Sequence, residues 1–116
     1  MAEGFANLYG SDVMTASSAG LSPTLSVMPE TVEVMAELNV DVSRHVPRRY
    51  DLLPIVNYDL IVNMAGFRLP GPAPRELIEW QIQDPYKSPV ETYRAVRSDL
   101  EQRVMRLILD LRRRRP

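Results

Sequence analysis

The chain contains no cysteine and a single histidine, His45. The first absence excludes disulfides, thiolate catalysis and cysteine metal sites together. The second excludes the ordinary multi-histidine zinc site, so no metal is expected. No apolar run approaches the ~20 residues that a membrane span needs. Residues 1–10 lack the basic start and apolar centre of a signal peptide. A cytoplasmic location with no membrane partner is therefore expected. An excess of one charge is also absent, with 14 Lys and Arg against 15 acids. That balance argues against a whole-surface nucleic-acid binder.

What is present is an ordinary globular mixture. Apolar residues make up 45% of the 116 and charged residues 25%, enough for one core, and a single domain over 1–116 is expected. The charge is unevenly spread. Residues 90–116 hold eight Arg against four acids, and residues 1–89 hold six Lys or Arg against eleven acids. The last element is a basic helix on an acidic body.

Periodicity gives the order helix, strand, helix, strand, strand, helix. Ala2, Phe5, Leu8 and Tyr9 fall at helical spacing, and Gly10 suits the position just past a helix end. Val13 to Ser17 reads as a short strand, and Ser18-Ala19-Gly20 turns out of it. Pro29 opens a second helix, with Val32, Met35 and Ala36 on one face and Asn39 as a left-handed cap. "DVSRHVPRRYDLLPI" is polar and reads as a loop or a short irregular helix. Leu60-Ile61-Val62 is an unbroken apolar run, as expected of a strand buried on both faces. "FRLPGPAPR" is a loop and "ELIEWQI" another strand, ending at Asp84. Ser88, Pro89 and Glu91 form a capping box for a helix running to about Arg112. Its stripe is Val96, Leu100, Val104, Leu107, Ile108 and Leu111, with Tyr93 in the core. Helices interleaved with apolar strands imply an α/β fold with a parallel sheet covered on both faces.

Few residues invite chemistry. Asp84 before Pro85 reads, by itself, as a turn cap. Ser17 and Ser18 are hydroxyl nucleophiles with no His or Lys near them in sequence to activate them. His45 lies in a polar loop without an orienting partner and reads as solvated. Arg112 to Arg115 read as a frayed basic tail that suits the negative helix end.

Taken in order, "MAEGFA", "SSAGL", "ETVEVMAELNVDVSRH", "YDLIVNM", "EWQIQDPY" and "ETYRAVRSDLEQRV" resemble the low-molecular-weight protein tyrosine phosphatases and the related arsenate reductases. The resemblance covers essentially the whole chain. It implies a three-layer, flavodoxin-like parallel sheet. It also implies a phosphate-binding loop of Cys, five residues, Arg and Ser or Thr, lying just ahead of the Met-Ala-Glu with which this sequence starts. In that family the Cys is the nucleophile, the loop N–H groups and the Arg cradle the oxyanion, and a late Asp protonates the leaving oxygen. Asp84 matches that general acid, Pro85 its neighbour and Tyr86 the aromatic that follows. Ser18 matches a Ser that braces the phosphate loop. Ala65 stands about where a redox Cys of the arsenate reductases falls.

The resemblance therefore implies an acid without a nucleophile, on a sheet lacking its first, central strand. The first expectation is a phosphatase-like protein, inactive over these residues, with "DPYKS" leaning to the phosphatases through Tyr86. An arsenate reductase-like protein is the alternative, as is a non-catalytic binding or assembly module. Unrecognised carboxylate chemistry ranks last, because nothing in the sequence sets a second acid beside Asp84. No cofactor is expected. A phosphorylated protein or an oxyanion would be a partner only with the loop restored. Bare sheet edges would favour a homodimer.

Overall fold

A computed structural model describes residues 1–20 and 27–114. Leu21 of the "SSAGL" stretch and Arg115 of the basic tail lie outside the described residues. The element order is α1 (Ala2–Tyr9), α2 (Pro29–Ala36), 3-10 turns at Tyr50–Leu52 and Ile55–Asn57, β1 (Ile61–Asn63), β2 (Leu77–Glu79) and α3 (Val90–Arg113).

α3 forms because its apolar residues recur every three or four positions over 24 residues without a glycine or internal proline. Tyr93, Val96, Leu100, Val104 and Ile108 are buried along that stripe. Both other helices pack on it. Phe5 and Ala6 enter from α1, and Val34 and Met35 from α2, to make one core with Val40. Gly10 ends α1 against α3: a Cβ there would lie 2.7 Å from the Ile108 side chain, so only glycine lets the two elements approach this closely. α2 starts at Pro29, as its fixed φ favours, and ends at Ala36; the turn after it closes at Asn39, whose φ of 61° is left-handed. The Val40 N–H then reaches back to the Met35 carbonyl at 3.0 Å.

β1 and β2 run parallel, with Val62 opposite Ile78. Residues 64–76, the "FRLPGPAPR" loop among them, make the crossover that parallel strands require. Asn63 is a buried polar residue fully engaged in that loop: its side chain donates to the Phe67 carbonyl at 2.8 Å and accepts the Ala65 N–H at 2.9 Å. The fold is thus α/β with a parallel strand pair, as the sequence implies.

Several expectations are corrected. Residues 13–17 form no strand: Val13 still belongs to the turn after α1, its N–H bonded to the Gly10 carbonyl at 3.0 Å, and the Asn7 side chain, not a neighbouring strand, satisfies Ala16 on both its N–H and its carbonyl. The capping box is absent: α3 begins after Pro89, no side chain caps it, and Glu91 pairs instead with Arg94. In α2 the buried pair is Val34 and Met35, while Ala36 is exposed. Among the described residues the basic end is not frayed. Arg112 forks onto Asp12 at 2.9 and 3.0 Å and donates to the Tyr9 carbonyl, and Arg114 holds Glu76 and Asp110. Glu37, Asp12 and Glu76 of the body thus each hold arginines of the basic helix.

The tightest of these pairings is at Glu37, just past α2. Arg94 donates to it from two nitrogens and Arg97 from a third, at 2.7–3.1 Å. The Arg94 hydrogen bonds, then those of Arg97, pull the Glu37 carboxyl from 4.5 down to about 2. A depressed carboxyl contributes stability above its unfolded value and loses it as the pH falls to the folded one. Glu37→Gln is expected to lower Tm near neutral pH. The gap from the parent should close as the pH drops from 4.5 towards about 2. A gap of constant size across that window, in melts followed by circular dichroism, contradicts the clamp.

Candidate functional site

Asp84 follows the β2 segment in a tight, exposed turn. Its Oδ1 accepts the Tyr86 N–H at 3.0 Å, and the Ser88 N–H closes the turn onto the Pro85 carbonyl at 2.8 Å. Lys87 sits at a φ of 63° with its ammonium 5.6 Å from the Tyr86 ring. Asp does this commonly, because its short side chain can replace a backbone acceptor two residues on. The turn leaves Oδ2 without a hydrogen bond among the described residues, on an exposed side chain. Pro85 is half-buried and Tyr86 exposed.

Beneath this turn lies Tyr93, 2% exposed, in the first turns of α3. Burial, and then the charges of Glu30 and Asp84 with Tyr86 behind them, push its hydroxyl above the ordinary 10.0. Glu30, in the first turn of α2, is thus a second acid whose charge acts on Tyr93. One of its oxygens, Oε2, is buried without a hydrogen-bond partner. Sequence spacing could not reveal it, because 54 positions separate the two acids and only α2 packing on α3 joins them.

Ser18 belongs to a different place. α1 presents Glu3 and Asn7 on one face, one turn apart. Asn7 ties down Ala16 by donating to its carbonyl at 3.2 Å and accepting its N–H at 3.1 Å. Two residues on in extended chain, Ser18 points the same way and donates its hydroxyl to Glu3 Oε1 at 3.0 Å. After α2, Asp41 accepts the Ser43 N–H at 2.9 Å and its hydroxyl at 2.6 Å, which holds the Asp41 carboxyl below its ordinary value. The His45 N–H then bonds the Val42 carbonyl at 3.1 Å, and this turn swings the imidazole back onto α1.

His45 Nδ1 lies 3.0 Å from Glu3 Oε2, and Nε2 lies 3.4 Å from Ser18 Oγ. His45 is therefore not a solvated loop residue, which corrects the sequence reading. Ser18 also has the histidine that its sequence neighbourhood lacks. The three side chains line a cavity of about 520 Å³ together with Gly4, Leu8, Val27, Val40, Val42 and Arg44. Asp84, Pro85 and Tyr86 do not line it. Among the described residues no group of three or more His, Asp or Glu is placed to hold a metal ion.

The Tyr93 environment yields a direct test. Of the five tyrosines, one is expected to ionise above the others in a tyrosinate absorbance titration. Tyr93→Phe should remove that late component, and Asp84→Asn should move it to lower pH by deleting a nearby negative charge. A titration unchanged by Asp84→Asn contradicts the placement of Asp84 over Tyr93.

Comparison with known proteins agrees with this architecture. The family model described as low molecular weight phosphotyrosine protein phosphatase matches residues 1–69. The glutaredoxin arsenate reductase of Synechocystis sp. is 30% identical over 112 residues, spanning 93% of this chain and 85% of that protein. An arsenate reductase of Staphylococcus aureus is 30% identical over 105 residues, spanning 87% and 79%. A solved arsenate reductase in a phosphate-binding state superposes with a TM-score of 0.84 at 27% identity, covering 95% of this chain and 86% of that one. The arsenate reductase of Archaeoglobus fulgidus gives 0.78 at 27% identity, covering 92% and 86%. The family match takes in more than half of the chain, including α1, Ser18, α2, His45 and β1, and places the chain in the low molecular weight phosphotyrosine protein phosphatase family.

Proposed function

We propose that this chain is the body of an arsenate reductase-type oxyanion site, with Asp84 as its proton donor. The observation that carries the reading is the run of arsenate reductase relatives along nearly the whole chain, joined to a superposition of 0.84 on one in a phosphate-binding state. This favours the arsenate reductases over the phosphatases, to which Tyr86 and the description of the family model lean. With no cysteine in the 116 residues, the thiol that attacks an oxyanion must come from outside them. The residues present supply a proton and a scaffold. Asp84 offers a free Oδ2 for the departing oxygen. Ser18, held by Glu3, is the brace for a phosphate-binding loop. The free edge of β1 accepts the strand that leads into such a loop, completing a three-layer, flavodoxin-like sheet over one domain in the cytoplasm. A second copy pairing on that edge, giving a homodimer, is the competing way to cover it.

The test is to join an apolar strand and a loop of Cys, five residues, Arg and Ser ahead of Met1. Arsenate turnover with a thiol reductant and hydrolysis of an aryl phosphate are then measured. Arsenate-dependent thiol consumption is expected from the joined protein and none from the parent. Asp84→Asn should reduce it by about 10²–10⁴-fold, the usual contribution of a general acid. Aryl phosphate hydrolysis without arsenate turnover would return the chain to the phosphatases. A folded but wholly inactive product would leave it a binding module.

A further inference from the structure

The Ser18 hydroxyl has one proton to donate, and Glu3 Oε1 already accepts it at 3.0 Å. What remains on Oγ is two lone pairs. His45 Nε2 lies 3.4 Å from that oxygen, while Nδ1 lies 3.0 Å from Glu3 Oε2. A neutral imidazole that donates from Nδ1 to a carboxylate has a bare lone pair on Nε2. That lone pair would face the lone pairs of Ser18 with no proton between them. An imidazolium carries a proton on each nitrogen. Nδ1 then donates to Glu3, Nε2 donates to Ser18, and Ser18 donates to Glu3. The direction of the Ser18 bond therefore fits the charged form of His45, the form that closes a ring of three hydrogen bonds.

The ring joins three segments of the chain. Glu3 lies in the first turn of α1, Ser18 follows the stretch that Asn7 ties to α1, and His45 follows α2. The His45 and Glu3 side chains are only 23% and 18% exposed, so water competes weakly for these bonds. Among the described residues the other charged groups here are few. Arg44 and the Met1 amino group line the same cavity, and burial lowers that amino group while Glu3 raises it. Asp41 lines the cavity too, but its Oδ1 is occupied by the Ser43 N–H and hydroxyl. Glu3 is the carboxylate that meets the imidazole.

We propose that His45 is a charge-sensitive positioning residue for Ser18. As an imidazolium it closes the ring and leaves Ser18 one lone pair, so the brace meets a phosphate-binding loop only as an acceptor of a backbone N–H. On losing its proton, His45 stops donating to Ser18, and Glu3 alone holds the hydroxyl. The third bond is present below the midpoint of the imidazole titration and is lost as the pH rises through it. The ring rests on contacts within this chain, and only its service to the loop rests on the oxyanion reading.

The test uses the 116-residue chain, whose single histidine gives one set of imidazole signals. Long-range ¹H–¹⁵N spectra report each ring nitrogen as protonated or bare across the titration. Three-bond couplings report the Ser18 χ1 rotamer in the same samples. On the basic side of the midpoint the remaining proton is expected on Nδ1, held by Glu3. Ser18 should keep one rotamer on the acid side and average between rotamers on the basic side. Ser18→Ala should move the titration to lower pH, because the imidazolium loses the acceptor of its Nε2 proton. Ser17→Ala, one residue away and exposed, should leave the titration in place. A remaining proton on Nε2, a Ser18 rotamer indifferent to the titration, or a folded Ser18→Ala protein with the parent midpoint would each overturn the proposal. The parent's tautomer and rotamer decide the matter even where a variant fails to fold. None of these readings involves turnover, so failure of the ring and failure of the oxyanion reading are told apart.

Discussion

The burial of one stripe on α3 is the constraint on which the rest depends. Tyr93, Val96, Leu100, Val104 and Ile108 supply half of the core, and Phe5, Val34 and Met35 are buried only because they meet that stripe. At about 25 cal/mol for each Å² of apolar surface removed from water, such contacts outweigh the exposed ion pairs around them. The ion pairs do something else. Glu37 to Arg94 and Arg97 at one end, and Asp12 to Arg112 at the other, fix how α2 and α1 lie along the helix. Apolar burial holds the three helices together, and the charges select their register.

Both candidate sites inherit their geometry from this packing. The Asp84 turn lies at the start of α3, over Tyr93, with Glu30 brought in by α2. The Ser18 cluster lies on α1 and on the turn that follows α2, so His45 reaches Glu3 only if both helices are seated. One site is a solvent-open acid on a hydrogen-bonded turn. The other is a partly enclosed Ser, His and Glu around a cavity. They share the α3 stripe and no lining residue, so each can be disabled without dismantling the other.

Much of this was legible in the sequence, where a strong local signal coincided with the final structure. The α3 stripe, Pro29, the Asn39 cap and the apolar β1 run are such cases. Misreadings came where partners distant in the chain override local preference. Ser88 and Glu91 spell a capping box, but Arg94 takes Glu91. Residues 13–17 look like a strand, but the Asn7 side chain supplies their pairing. The Arg tail looks frayed until Asp12, 100 positions earlier, is seen to hold Arg112. His45 was missed for the same reason: no local pattern announces that a residue after α2 will meet the first turn of α1. The action of Glu30 on Tyr93 is equally invisible without the packing of α2 on α3.

The most direct test of the central role of α3 is native-state hydrogen exchange, resolved by residue. The slowest amides are expected on the inner face of α3 from Val96 to Ile108, followed by those of α1 that pack on it. β1 and β2, a pair three residues long, should open earlier. If the strand amides prove the slowest and α3 exchanges first, the sheet and not the helix organises this protein, and the central role of α3 is contradicted.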